Sequence, residues 1–175
     1  MAAVPLHPHP ATPCSAVTSL TVAVVRDRDL HLTYELRGDL AQLAIPAPAR
    51  AGFADELWRH TCFEVFVAPE PGTAYRELNF SPSGQWASYD FASYRQRADR
   101  ATPPTAPKLD WQRTKDRLTL VAVVPLDAGT PALRLGVSAV IETRDGVLSY
   151  WALAHPAARP DFHAAGGFTL RLDPC

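Results

Sequence analysis

"TCFEVFVAPEPGTAYRELNFSPSGQWASYDFASYR", residues 61–95, holds three apolar-rich runs parted by two short pieces rich in Pro, Gly and Ser. Residues 61–68, 75–81 and 85–95 have the length and the aromatic and β-branched content of strands. The intervening "PEPGT" and "PSG" are turn compositions, so the stretch reads as an antiparallel meander.

Working outward, the same pattern continues on both sides. Upstream, "SLTVAVVR" (19–26) and "LHLTYEL" (30–36) are joined by a hairpin-sized "DRD". In the second of these, Leu30, Leu32, Tyr34 and Leu36 alternate with His31, Thr33 and Glu35, the period of a half-buried strand. Between it and the meander, "GDLAQLAIPAPARAGFADE" (38–56) has no sustained period and is expected to hold strand-like fragments and a long connection. Downstream, "RLTLVAVVPL", "LRLGVSAVIET" and "VLSYWALA" read as strands, with "TRDG" as the hairpin turn between the last two and "FTLRL" as a closing strand. A single helical turn is the most that "RADRATPP" (97–104) allows. Nine or ten strands with no repeat predict an all-β chain, an antiparallel β-sandwich of jelly-roll type rather than a parallel α/β sheet.

Composition agrees. The chain has 175 residues, 47% hydrophobic and 20% charged, enough for one domain with a full core. Residues 15–175 are expected to form that domain, and the proline-rich residues 1–14 a flexible tail. The 17 prolines fall mostly between apolar runs, where a missing N–H costs no ladder hydrogen bond. A net charge of −1 without Lys/Arg runs argues against a nucleic-acid partner. The absence of long apolar runs and of a signal-type N-terminus argues against a membrane. Cys14, Cys62 and Cys175 lack metal-type spacing, so reduced thiols and a cytoplasmic protein are expected. Phosphate-cradle, Walker, G-x-S-x-G and H-E-x-x-H motifs are all missing, and the sequence requires no cofactor.

Alternation then sorts the side chains. Phe63, Val65 and Val67 form one set, expected in the core, and Cys62, Glu64 and Phe66 the other. On the next strand Tyr75, Glu77, Asn79 and Ser81 share a face opposite to Leu78 and Phe80. With Glu64 on the same side as Glu77 and Asn79, a hydrogen-bonding floor forms, rimmed by Trp58, Arg59, Trp86 and Arg95. Carboxylates and amides bond ring hydroxyls while flat aromatics cover apolar ring faces, a combination that suits a sugar. A solvated sheet face whose Glu and Arg pair across strands would use the same residues.

Three enzymatic alternatives stand beside it. His60 and Cys62 project the same way from an extended strand and could form a thiol site, although packing beside Phe66 explains Cys62 more simply. Glu64 and Glu77 could pair as acid and base. In "WALAHPAARPDFH", His155, Asp161 and His163 are the best metal candidates, although a rigid loop also uses such side chains to satisfy its own backbone.

The run "LWRHTCFEVFVAPEPGTAYRELNFSPSGQWASYDFASYR", with the later "WALAHPAARPDFH" and "FTLRL", resembles the bacterial DOMON-like proteins related to family 9 carbohydrate-binding modules. The shared pattern is the "CFEVFV" strand, the Y-x-E-x-N-F-S-P-S-G-x-W hairpin and the H-P…P-D-F-H loop, within residues 17–172. The resemblance implies a jelly-roll sandwich that binds a sugar, or in some relatives a haem, without catalysis of its own. Haem-binding relatives commonly use a Met and a His, and here the sole methionine is Met1, so a haem would need His60 and His155, or one histidine. The expectation is therefore a non-catalytic domain binding a small molecule, foremost a carbohydrate, with a metal- or thiol-dependent hydrolase or a haem-binding domain as alternatives.

Overall fold

The computed structural model describes residues 2–99 and 105–174. Most of the "RADRATPP" turn, and Cys175, lie outside the described residues. Strand accounts for 51% and helix for 4%, so the all-β reading holds.

Two short strands, β1 (Val4–Pro5) and β2 (His7–Pro8), precede the hairpin of β3 (Val17–Arg26) and β4 (Asp29–Gly38). A long connection containing β5 (Gly52–Phe53) and a 3₁₀ turn, Leu57–Arg59, leads to the meander of β6 (Cys62–Pro69), β7 (Tyr75–Phe80) and β8 (Gln85–Ser93). Then follow β9 (Gln96–Arg97), the hairpin of β10 (Lys108–Arg113) and β11 (Arg117–Pro125), β12 (Leu133–Glu142), β13 (Leu148–Ala152) and β14 (Leu170–Leu172).

These strands form two layers. Sheet A has the order β1-β3-β4-β11-β10, and sheet B the order β2-β13-β12-β6-β7-β8-β5, with β14 beside β12 and β9 beside β8. Among the described residues every pairing is antiparallel except that of β5 with β8. The distant neighbours β4–β11 and β6–β12 are the non-sequential returns of a jelly-roll-type sandwich.

Period-two alternation builds the core between the layers. Sheet A contributes Leu30, Leu32, Tyr34 and Leu36, and sheet B Phe63, Val65 and Val67, all buried. Tyr34 brings a hydroxyl into this core and satisfies it by donating to the Glu64 carbonyl at 2.8 Å. Sheet B is covered on its outer face as well, where Phe66, Tyr75, Tyr89, Phe91 and Phe168 make a second apolar cluster. β6 is consequently buried through Ala68 on both faces.

Two local expectations change. Residues 1–14 were expected to form a flexible tail, but β1 pairs with β3 in sheet A and β2 with β13 in sheet B, and Leu6 between them is buried. Composition alone missed this because prolines are tolerated at sheet edges, where their missing N–H faces no partner. The strand Lys108–Arg113 also gave no signal, since an edge strand with only Leu109 and Trp111 packed on the core looks polar. No helix among the described residues is long and apolar enough to cross a membrane.

Candidate functional site

The outer face of sheet B carries a cleft of about 370 Å³. Strand register explains its floor. Glu64 stands opposite Asn79 on β7 and Ser138 on β12, while Glu77 stands opposite Phe66 and Tyr89. All four polar side chains therefore share one face. Glu64 is 2% exposed, Glu77 5% and Asn79 0%.

Each carboxylate has one oxygen held and one open. Ser138 Oγ donates to Glu64 Oε2 at 3.2 Å, and Asn79 Nδ2 donates to Glu77 Oε1 at 2.8 Å. Among the described residues Glu64 Oε1 and Glu77 Oε2 accept no hydrogen bond, yet both residues line the cleft. Burial, and then the neighbouring Glu77, push the Glu64 carboxyl well above the usual carboxylate range, with Ser138 opposing weakly. Burial raises Glu77 too, but the Asn79 hydrogen bond and the Arg97 and Arg95 guanidinium groups oppose the rise. The pair is thus biased toward a protonated Glu64 beside a more readily ionised Glu77.

The walls are aromatic and cationic. Trp58, 41% exposed on the 3₁₀ turn, stands on one side, with Phe91, Tyr150 and Phe162 completing the apolar lining. Arg97 lies over the Tyr89 ring at 4.1 Å and, among the described residues, forms no salt bridge. Tyr89 in turn donates to Asp55, and burial together with that carboxylate pushes the phenol up to about 12.

The loop after β13 closes the remaining side and is tied down by Asp161, which accepts from Tyr94 Oη at 2.6 Å, Arg95 Nη2 at 2.8 Å and its own loop's His163 N–H at 3.2 Å. Burial works against the Asp161 charge, but the Tyr94 and Arg95 bonds outweigh it and keep this carboxyl low. Arg95 has a left-handed backbone, φ 53°, unusual for a residue with a side chain. Its N–H donates to Tyr75 Oη at 3.0 Å, so that conformation is held from the backbone as well as by the ion pair. Tyr75 Oη also lies 2.8 Å from His163 Nδ1 and donates to it in the tautomer that keeps the ring hydrogen on Nε2. In that tautomer the hydrogen is turned toward Glu77 Oε2, 3.6 Å from Nε2. Burial, reinforced by Arg95, lowers the His163 pKa to about 4, so the ring is a neutral donor at ordinary pH.

The structure thus brings Glu64 and Glu77 to the cleft, with Trp58 and Arg95 at the rim, and places Asn79, fully buried and outside the lining, beneath them as the donor to Glu77. Two expected rim residues are placed elsewhere. Trp86 belongs to the inner core: it pairs with Phe80 and meets the Phe53 ring at 5.7 Å, because its parity on β8 is that of the inner face and Ala87 takes the site side. Arg59 lies over the Trp58 ring at 5.2 Å and pairs with Glu56 at 2.7 Å, so it supports Trp58 from outside the cleft lining.

The metal and thiol alternatives do not assemble. His155 Nε2 meets the His7 carbonyl at 2.8 Å and its ring packs on His9, apart from Asp161 and His163 in the cleft wall. Among the described residues no group of three or more His, Cys, Asp or Glu is placed to hold a metal. Burial pushes the Cys62 thiol well up, and His60 instead bonds Glu142 at 2.8 Å, so Cys62 and His60 form no thiolate–imidazole pair. Neither His60 nor His155 lines this cleft.

Sequence reading missed Arg97, Tyr150, Phe162 and Ser138. Ser138 carried a usable signal, a polar residue inside the apolar run "LGVSAVI"; Arg97 in β9, Tyr150 in β13 and Phe162 in the loop after it carried none.

No family model matches the chain, and no curated protein matches it in sequence. The resemblance to DOMON-like proteins therefore stays with the motifs that carry it. Among solved structures, the crystal structure of a candidate carbohydrate-binding protein from Bacteroides uniformis ATCC 8492 is similar over 85% of this chain and 74% of that one, with a TM-score of 0.56 and 18% identity. At that identity the likeness is one of fold, and it agrees with the β-sandwich described above.

Proposed function

We propose that this chain is a carbohydrate-binding β-sandwich whose ligand lies in the cleft on the outer face of sheet B. The observation that carries the reading is the floor itself: two buried carboxyl groups, each with one oxygen tied to a neutral donor and the other open to a cleft walled by aromatic rings. Such a floor offers directional partners to hydroxyls, and rings such as Trp58 offer an apolar surface to a pyranose face. The fold neighbour described as a candidate carbohydrate-binding protein supports the same class. Within that class, the kinship we favour is with the DOMON-like relatives of family 9 carbohydrate-binding modules, because Glu77 of the shared hairpin motif lies in the floor and Asn79 of the same motif holds it.

Titration calorimetry with a panel of mono- and disaccharides is expected to find a binder. Trp58→Ala should weaken that binder roughly tenfold, the order of one aromatic contact, while leaving the urea midpoint unchanged because Trp58 is half exposed. Well-folded protein that gives no heat with any sugar of the panel would overturn the reading.

A further inference from the structure

Holding a sugar explains a polar floor but not two buried carboxyl groups on one face of adjacent strands, of which Glu64 holds its proton more firmly than Glu77. A pair whose environments separate its members in this way is the arrangement that acid–base chemistry uses. The placement narrows the chemistry. Displacement at a glycosidic bond needs two carboxyl groups flanking it, with one activating water on the far face of the ring or attacking from there. Glu64 and Glu77 instead rise from adjacent strands of one sheet and face a ligand from the same side. What two such groups can reach together is a pair of oxygens on one carbon, and the anomeric carbon of a cyclic aldose carries such a pair, the hydroxyl O1 and the ring oxygen O5.

We infer that the cleft interconverts the anomers of a bound aldose, with Glu77 as base, Glu64 as acid and His163 as the donor that places O1. This rests on the sugar-binding reading above. Glu77 Oε2 takes the O1 proton, the freed electron pair makes the C1=O1 double bond, and the C1–O5 bond breaks with its pair passing to O5. Glu64 gives its proton to O5. The open-chain aldehyde turns about C1–C2 and O5 closes on the other face of C1. Glu64, now a carboxylate, takes back the O5 proton, and Glu77 returns its proton to O1. Both residues end as they began, and nothing is oxidised, reduced or hydrolysed.

The other groups fit these roles. His163 Nε2–H and Glu77 Oε2 stand 3.6 Å apart, too far to bond each other directly and close enough for one ligand oxygen to accept from the first and donate to the second. Tyr75 acts as a positioning residue: its hydroxyl, held by Arg95 N–H, stands 2.8 Å from His163 Nδ1, where donation by it keeps the ring hydrogen on Nε2. Arg97, without a salt bridge among the described residues, favours the anionic form of Glu77.

The test uses the full chain with freshly dissolved α-D-glucose, α-D-galactose and α-D-xylose, following optical rotation to equilibrium, with calorimetry on the same sugars. For an aldose that binds, micromolar protein is expected to speed anomeric equilibration at least about tenfold over buffer. Glu77→Gln and Glu64→Gln, each assayed at saturating aldose so that weaker binding does not account for the loss, should return equilibration to within about twofold of the buffer rate, since one general acid or base is worth about 10²-fold. Tyr75→Phe should lower the rate and also shift the His163 ring-nitrogen resonances, which a merely structural tyrosine would not do. An aldose that binds yet equilibrates at the buffer rate, or variants as fast as the parent, overturns this inference and leaves the binding reading intact. Absence of binding to every aldose and every other sugar of the panel overturns both.

Discussion

Glu64→Gln is expected to make the protein more resistant to urea at pH 7.5 than the parent, with the advantage shrinking as pH falls and gone near pH 4.5. Glu64 is almost wholly buried, and its folded-state pKa is raised by burial first and by Glu77 second. In the unfolded chain the same carboxyl ionises near about 4.3. Below that pH both states hold the proton and the residue costs nothing. Above it the unfolded state gains a charge that the folded state resists, so the parent loses up to about 1.4 kcal/mol of stability per pH unit until the folded carboxyl ionises as well. Glutamine keeps the shape, can still accept from Ser138 and has no such slope. His163 carries the opposite linkage, its lowered pKa withdrawing stability as pH falls from about 6.5 towards its folded value of about 4. It is present in both proteins and largely cancels in the comparison. Urea midpoints at pH 4.5, 6 and 7.5 measure the effect, and parallel curves for parent and variant would refute a buried, proton-holding Glu64. A stabilising substitution at the floor of a cleft is also the usual mark of a residue kept for something other than folding.

Phe168→Ala should cost about 3–5 kcal/mol, the range for removing a buried phenyl group. Phe168 is 5% exposed, stacks on Phe66 at 5.7 Å and meets Tyr75 edge-on at 5.6 Å. Its ring occupies the space above Gly136, where an added Cβ would come within 2.5 Å of it. That glycine is the reason a strand in the middle of sheet B admits an aromatic ring from above. The same ring fastens the loop bearing Asp161, Phe162 and His163, so the variant should lose ligand binding at temperatures where it remains folded. Calorimetric melting together with saccharide titration checks both halves. Binding retained in a destabilised variant would show that the Asp161 ion pair alone fastens the loop.

The two halves of the molecule differed in how openly the sequence declared them. Leu30, Leu32, Tyr34 and Leu36 alternate cleanly because one side of β4 meets the core and the other meets solvent. The meander, buried on both faces in β6, was legible instead from its aromatic and β-branched runs parted by Pro-, Gly- and Ser-rich turns, and period two within them gave the shared face of Glu64, Glu77 and Asn79. Trp86 shows where that reading fails: it follows a turn, and the strand parity after a turn depends on geometry that composition does not carry. His155 shows a second failure. It lies eight residues from His163, but the loop between them bends over the sheet, so nearness in sequence said nothing about convergence. The cleft wall as a whole was hidden because it is made by tertiary docking of a loop without periodicity.

The first residues of the chain have a consequence beyond packing. β1 lies along the outside of β3 and β2 along the outside of β13, so the N-terminal segment occupies an otherwise open edge in each layer. Pro5 and Pro8 lie in those two short strands and have no amide hydrogen to offer a further strand. A few residues therefore shield one margin of each layer from pairing with another molecule, the opposite margins being β10 and β5.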